Sequence, residues 1–285
     1  MNYDNTGYGP ILNLLESELS PFIKISERAY RYFIETVNRK SHLLINKRYF
    51  LINLLVSNAK NASYSIRLLS TWGQPIEGYA LLRIRLEQLI TSSYLIHDQV
   101  SNAVEKFISY YPVIEYNYLK VNDANENLKL ALSIFFPDAN TLYNERMNEL
   151  RSQIEGTFQI KNDKYQRKWT EHNINKLAEL RDSLVDQNDR ISKIKMLDYY
   201  NTIYRLSSSI VHSVIASITK LFLGTSSEGV IKPHEIYVFI DLVAVSLFDI
   251  IQCYEAATYL KFNIEDKYLK LFDDYIYQTK RMFDQ

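Results

Sequence analysis

The chain is poor in the residues that interrupt helices, with only 7 glycines and 6 prolines among 285 residues. Long uninterrupted segments therefore suit an α-helical backbone, because glycine loosens a helix and proline breaks it. It has 1 cysteine, Cys253, which excludes an internal disulfide and fits a reducing compartment. Because Cys253 stands in an apolar run, it reads as a small buried hydrophobe. Neither sign of charge is in excess, with 33 basic and 33 acidic residues. A phosphate-bearing partner would have to be held by a local patch and not by a global field. The longest apolar run, Ile236 to Ile251, falls short of the roughly 20 residues needed to cross a bilayer, and Asp241 and Asp249 interrupt it. It reads as a buried core helix, and no membrane association is expected. The first residues, Met1-Asn2-Tyr3-Asp4, lack the basic and apolar regions of a secretory signal, so the expected location is cytoplasmic.

Familiar catalytic devices are missing too. There is no glycine-rich phosphate loop, no cysteine pair for zinc, no His-Glu-x-x-His and no nucleophile elbow. The 5 histidines, at 42, 97, 172, 212 and 234, do not stand at ligand-like spacings with carboxylates. Neither a metal nor a cofactor is expected.

What is present is helical periodicity nearly everywhere, in a chain that is 47% hydrophobic. The reading is an all-α multi-helix bundle, residues 1–285 forming a single helical domain with 1–72 as an N-terminal helical extension. Pro10 and Pro21 are expected to flank an early helix, and Ser41 to cap a long one running to Trp72. Gly73-Gln74-Pro75 marks a break, with Pro75 in the first turn of a helix to about His97. Further helices are expected over Asn102–Val121 with a kink at Pro112, Asp123–Phe136 and Asp138–Glu155. Gly156 to Trp169 reads as a mobile basic loop, and Thr170 as the cap of a helix to Leu184. After a polar connection, Asp186 to Lys193, three strong helices close the chain: Met196–Leu223, Pro233–Phe262 and Glu265–Phe283.

Chemistry concentrates on two of these helices. On the late one, Asn201, Arg205, Ser208 or Ser209, and His212 share a face at helical spacing, while Tyr204 and Val211 turn toward the core. Covering an arginine and a histidine costs desolvation unless they pair or open onto a cleft, so the stripe is a candidate site. The plainer reading is a histidine bonded to a neighbouring helix and an arginine paired with a carboxylate. On the earlier helix Arg83 and Glu87 stand four apart and pair, beside a core stripe of Leu82, Leu86 and Leu89. That pair serves either as a structural link between helices or as the lining of a pocket. Tyr110, Tyr111, Tyr116 and Tyr118 near Lys120 suit either base stacking or ordinary packing.

These segments resemble a bacterial helical family of unknown function, domain-of-unknown-function family 5677. The resemblance rests on Arg83-x-x-x-Glu87, on Tyr200-x-x-x-Tyr204 followed by Ser207 or Ser208 and Val211-His212, and on Trp169 ahead of that helix. The late motif also resembles the HEPN superfamily, whose ribonucleases carry an arginine and a histidine on one helix, as Arg205 and His212 do here. Leu206 stands where a polar residue often follows the arginine. That resemblance implies a HEPN-like core in the C-terminal half, a homodimer and cleavage of RNA without metal, in a toxin or phage-defence setting. It assigns general acid-base chemistry to His212 and phosphate charge to Arg205, with Ser208 or Asn201 orienting them. The alternative is a non-catalytic helical scaffold that binds a protein or small ligand near Arg83, Glu87 and His212.

Overall fold

A computed structural model describes residues 19–72, 75–98, 102–123, 139–155, 158–161, 164–165, 168–205, 207 and 233–283. Its helices are α1 (Ser20–Arg39), α2 (Lys47–Thr71), α3 (Pro75–His97), α4 (Ala103–Asp123), α5 (Ala139–Ile154), α6 (Ile174–Leu184), α7 (Met196–Tyr199), α8 (Pro233–Tyr259) and α9 (Glu265–Phe283). The fold is a multi-helix bundle, as the periodicity predicts. The described residues fall into two compact units, one from 1–98 with 174–285 and the other from 99–173.

In the first unit α8 is the central element, with α1, α2, α3 and α9 packed against it and α6 on α3. Its position follows from its sequence, the most apolar of the helices: Val245, Phe248, Ile250, Ile251, Cys253 and Ala257 are fully covered. A helix apolar on every side is stable only when surrounded. No helix among the described residues is long and apolar enough to cross a membrane.

Several boundaries differ from expectation for identifiable reasons. Pro21 does not end a helix; it sits in the first turn of α1, where its missing N–H costs nothing. The stretch after Pro10 lies outside the described residues. Ser41 opens a short 3-10 segment, Ser41–Ile45, and the cap of α2 is Asn46, whose side chain accepts the Arg48 N–H at 2.9 Å. Thr170 is not a helix cap either. Its hydroxyl accepts the His172 N–H at 3.2 Å in the turn before α6. Pro112 lies inside α4 as expected. The helix expected over Asp123–Phe136 lies outside the described residues apart from Asp123, which ends α4.

In the second unit, α4 and α5 enclose Tyr110, Val113, Tyr116, Leu150, Ile154 and Phe158. The expected loop after Gly156 contains a short antiparallel ribbon, β1 (Gln159–Lys161) with β2 (Lys164–Tyr165). Phe158 is buried edge-on against Tyr110, and Trp169 packs edge-on against Phe107 at 5.3 Å. The tyrosine cluster thus divides by helical phase: Tyr110 and Tyr116 are core, whereas Tyr111 and Tyr118 face solvent.

Candidate functional site

The two motif helices meet at Tyr204. The Arg83 guanidinium lies over its ring at 4.6 Å and donates from Nη2 to its hydroxyl at 3.0 Å. Arg83 Nε also lies 3.4 Å from Glu87 Oε1, the pairing that the four-residue spacing predicts. Tyr200 stacks on Tyr204 with ring centroids 4.6 Å apart. Four of the residues singled out from sequence therefore form one half-buried cluster. Tyr204 does not enter the core as expected. Burial and the neighbouring Glu87 carboxylate raise its phenol above the usual range, against the opposing pull of Arg83.

The backbone supplies the reason. Tyr200–Tyr204 is a π-helical turn and not regular α-helix. A π turn inserts a residue into the helical repeat and rotates the residues beyond it, and such turns recur at functional sites. Asn201 and Arg205 are thus separated by π and not by regular α-helical spacing. Asn201 and Arg205 are both exposed, and Arg205 has no ion pair among the described residues. Ser208 and His212 lie outside the described residues. Trp169 belongs to the second unit, where it lines the α4–α5 core.

The helix carrying this turn is held from beneath. Asp182 of α6 accepts the N–H groups of Met196 at 2.8 Å and Leu197 at 3.0 Å, capping α7 from a neighbouring element. Asp182 is fixed in turn by Arg181, which is fully buried. The Arg181 guanidinium donates to Ser93 on α3 at 2.7 Å, to the Ile194 carbonyl at 2.6 Å and to Glu255 on α8. Burial pushes the Glu255 carboxyl up, but Arg181, His97 and Ser93 outweigh it and hold the group at about 2. Tyr199 packs edge-on against Phe248 of α8. The turn thus rests on a rigid base while its outer face meets solvent.

A second buried network lies deeper and was not singled out from the sequence. Asp249 of α8 accepts from Arg85 at 3.1 Å, from Tyr30 at 2.6 Å, from Ser63 at 2.6 Å and from Ser26. Arg85 and Asp249 are fully covered. Burial lowers the Arg85 pKa, but Tyr30 and Asp249 outweigh it and leave the guanidinium more basic than usual. Burial and the Asp249 charge push the Tyr30 phenol well up. The signal was available: Arg85 falls on the same stripe as Leu82 and Leu89, and Asp249 interrupts the most apolar helix. Among the described residues no group of three or more His, Cys, Asp and Glu side chains gathers as a metal site.

A family model described as a family of unknown function, DUF5677, matches residues 49–230. The chain belongs to this family. The match takes in nearly all of α2 and continues through the π turn, including Arg83, Glu87, Tyr200 and Tyr204, whereas α1, α8 and α9 lie outside it. No curated protein and no solved structure matches the chain.

Proposed function

We propose that this member of the family is a HEPN-like, metal-independent endoribonuclease of bacterial origin that works as a homodimer in a toxin or phage-defence setting. The observation that supports the reading is the exposed Arg205, without an ion pair among the described residues, directly after a π turn that Tyr204, Arg83 and the capped α7 hold in place. A guanidinium that is not committed to a carboxylate is available for a phosphate, which it engages through paired N–H groups. In the proposed mechanism His212 removes the proton from the ribose 2′-hydroxyl and a histidine returns one to the leaving 5′-oxygen. Arg205 offsets the charge that develops on the phosphate. Asn201, four residues before Arg205 and also exposed, orients the phosphate, and Ser208 orients the histidine.

A non-catalytic scaffold is the second reading. It is favoured by the Arg83 cluster, whose donors are spent on Glu87 and Tyr204 inside the fold. The test is cleavage of a labelled single-stranded RNA pool in EDTA by the wild type, Arg205→Ala and His212→Ala. Loss of cleavage by about 100-fold or more in each variant is expected, with circular dichroism and light-scattering mass unchanged. An inactive wild type, or His212→Ala as active as wild type, rejects the nuclease. A protein partner that co-purifies and is lost on Arg83→Ala would then support the scaffold.

A further inference from the structure

Away from the Arg83 cluster, α1 and α2 stand apart on the surface of α8 and leave a cleft of about 380 Å³ between them. That volume lies in the range of small-ligand sites, roughly 300–1,000 Å³. Tyr30 and Arg67 line its depth, where Arg67 is only 9% exposed. Arg67 Nη1 donates to Ser26 Oγ at 3.1 Å, and its guanidinium lies 6.0 Å from the Tyr64 ring.

Among the described residues the charge balance here is incomplete. The nearest buried carboxylate, Asp249, is already matched by Arg85 and three hydroxyls, one of them Ser26. No carboxylate lies within ion-pair distance of Arg67 among the described residues. A guanidinium taken out of water without a counter-charge is costly, a cost that an anion bound beside it would offset. Arg31 and Lys60 add positive charge at the walls, while Glu27 and Glu35 lie on the same lining, so the cleft as a whole carries one net positive charge. Tyr64 is 59% exposed and presents a ring face beside Arg67.

We propose that this cleft binds a small organic anion whose phosphate or carboxylate pairs with Arg67 and whose ring or apolar body lies on Tyr64. The site is independent of the ribonuclease reading and shares no residue with it. Selectivity follows from the geometry: one buried cation takes one oxyanion, and Glu27 and Glu35 repel a more highly charged ligand.

The probes are phenyl phosphate, benzoate, inorganic phosphate and the uncharged phenol, titrated calorimetrically into the full-length protein, with melting temperature as a second readout. Phenyl phosphate or benzoate is expected to bind and raise the melting temperature, and phenol to do neither. Arg67→Met should weaken the aryl anion by about tenfold or more, the loss of one charge-assisted contact. Without ligand the same variant should melt no lower than wild type, because it removes a buried charge that no carboxylate among the described residues pairs. Tyr64→Ala, at an exposed position, should weaken the aryl anion while leaving inorganic phosphate unchanged. Should Arg67→Met fail to fold, the exposed Lys60→Ala, which removes a wall cation, and Tyr64→Ala still decide the matter. Absence of binding by either aryl anion at millimolar concentration overturns the proposal, as does binding that is equal in wild type and both surface variants.

Discussion

Asp249→Ala puts the buried network to its hardest test. The substitution leaves Arg85 fully covered with its carboxylate gone, while Tyr30, Ser63 and Ser26 lose the oxygen to which they donate. Breaking a buried ion pair from one side costs about 3–5 kcal/mol, most of it the desolvation of the charge left behind. The orphaned hydroxyls add about 1 kcal/mol or more between them. Domains of ordinary stability have about 5–15 kcal/mol in total, so the variant should be close to unfolded at 37 °C. The assay is urea unfolding at neutral pH followed by far-ultraviolet circular dichroism, comparing midpoints at constant slope. Arg85→Met combined with Asp249→Leu removes both charges at similar volume and should recover at least half of the loss, since apolar replacement of a buried pair is often near neutral. Additive costs in the double variant, or a loss below about 1 kcal/mol for Asp249→Ala, would refute the claim that Arg85 depends on this carboxylate.

The same interior makes two further outcomes testable. Glu255 is held at about 2 in the folded chain against 4.5 for the free side chain. A depressed folded value means that its stabilisation is present above about 4.5 and is lost as pH falls toward 2, on the order of 3 kcal/mol. Glu255→Gln should therefore be less stable at neutral pH and show a flatter decline across that acid window; parallel profiles would count against the Arg181–Glu255 pairing. Gly78 should resist the usual helix-stabilising change to alanine. Its added Cβ would meet Asp241 Oδ2 at 2.6 Å and Ser70 Oγ at 2.7 Å, where a hydrogen bond joins α2 to α8. Gly78→Ala should lower stability by about 1–3 kcal/mol through overpacking, against the gain of about 1 kcal/mol that helix propensity alone would give, as read from thermal melts.

The bundle was largely legible because period and punctuation act locally. The Pro75 start of α3 and the whole span of α9 follow from side chains within a few residues. Asn46 was missed as a cap because Ser41, an equally good capping residue, precedes it. The Arg83–Glu87 pair was legible for the same local reason, being a contact along one helix. The π turn was not, because nothing in Tyr200–Tyr204 marks an extra residue in the repeat. That turn forms where Tyr204 must reach Arg83 on α3 while α7 is pinned by Asp182, and both constraints come from distant parts of the chain.

Arg85 and Arg181 show the same limit from the other side. Each lies within the segment that the family shares, yet each reaches a buried carboxylate in α8, beyond the match, Arg181 in addition to its neighbour Asp182. Tyr30 and Ser26, which complete the Asp249 cluster, come from α1, before it. The shared segment therefore carries two fully buried guanidinium groups, of which Arg85 has its carboxylate wholly outside the segment and Arg181 divides its charge between Asp182 within it and Glu255 beyond it. Buried charge of that kind is tolerated only when its partners are in place, so α1 and α8 are integral to the core that supports the Tyr204 turn. Charges on apolar helical stripes mark Arg85, Arg181, Asp249 and Glu255 as residues in need of buried partners, but which carboxylate meets which guanidinium is set by how α3, α6 and α8 pack.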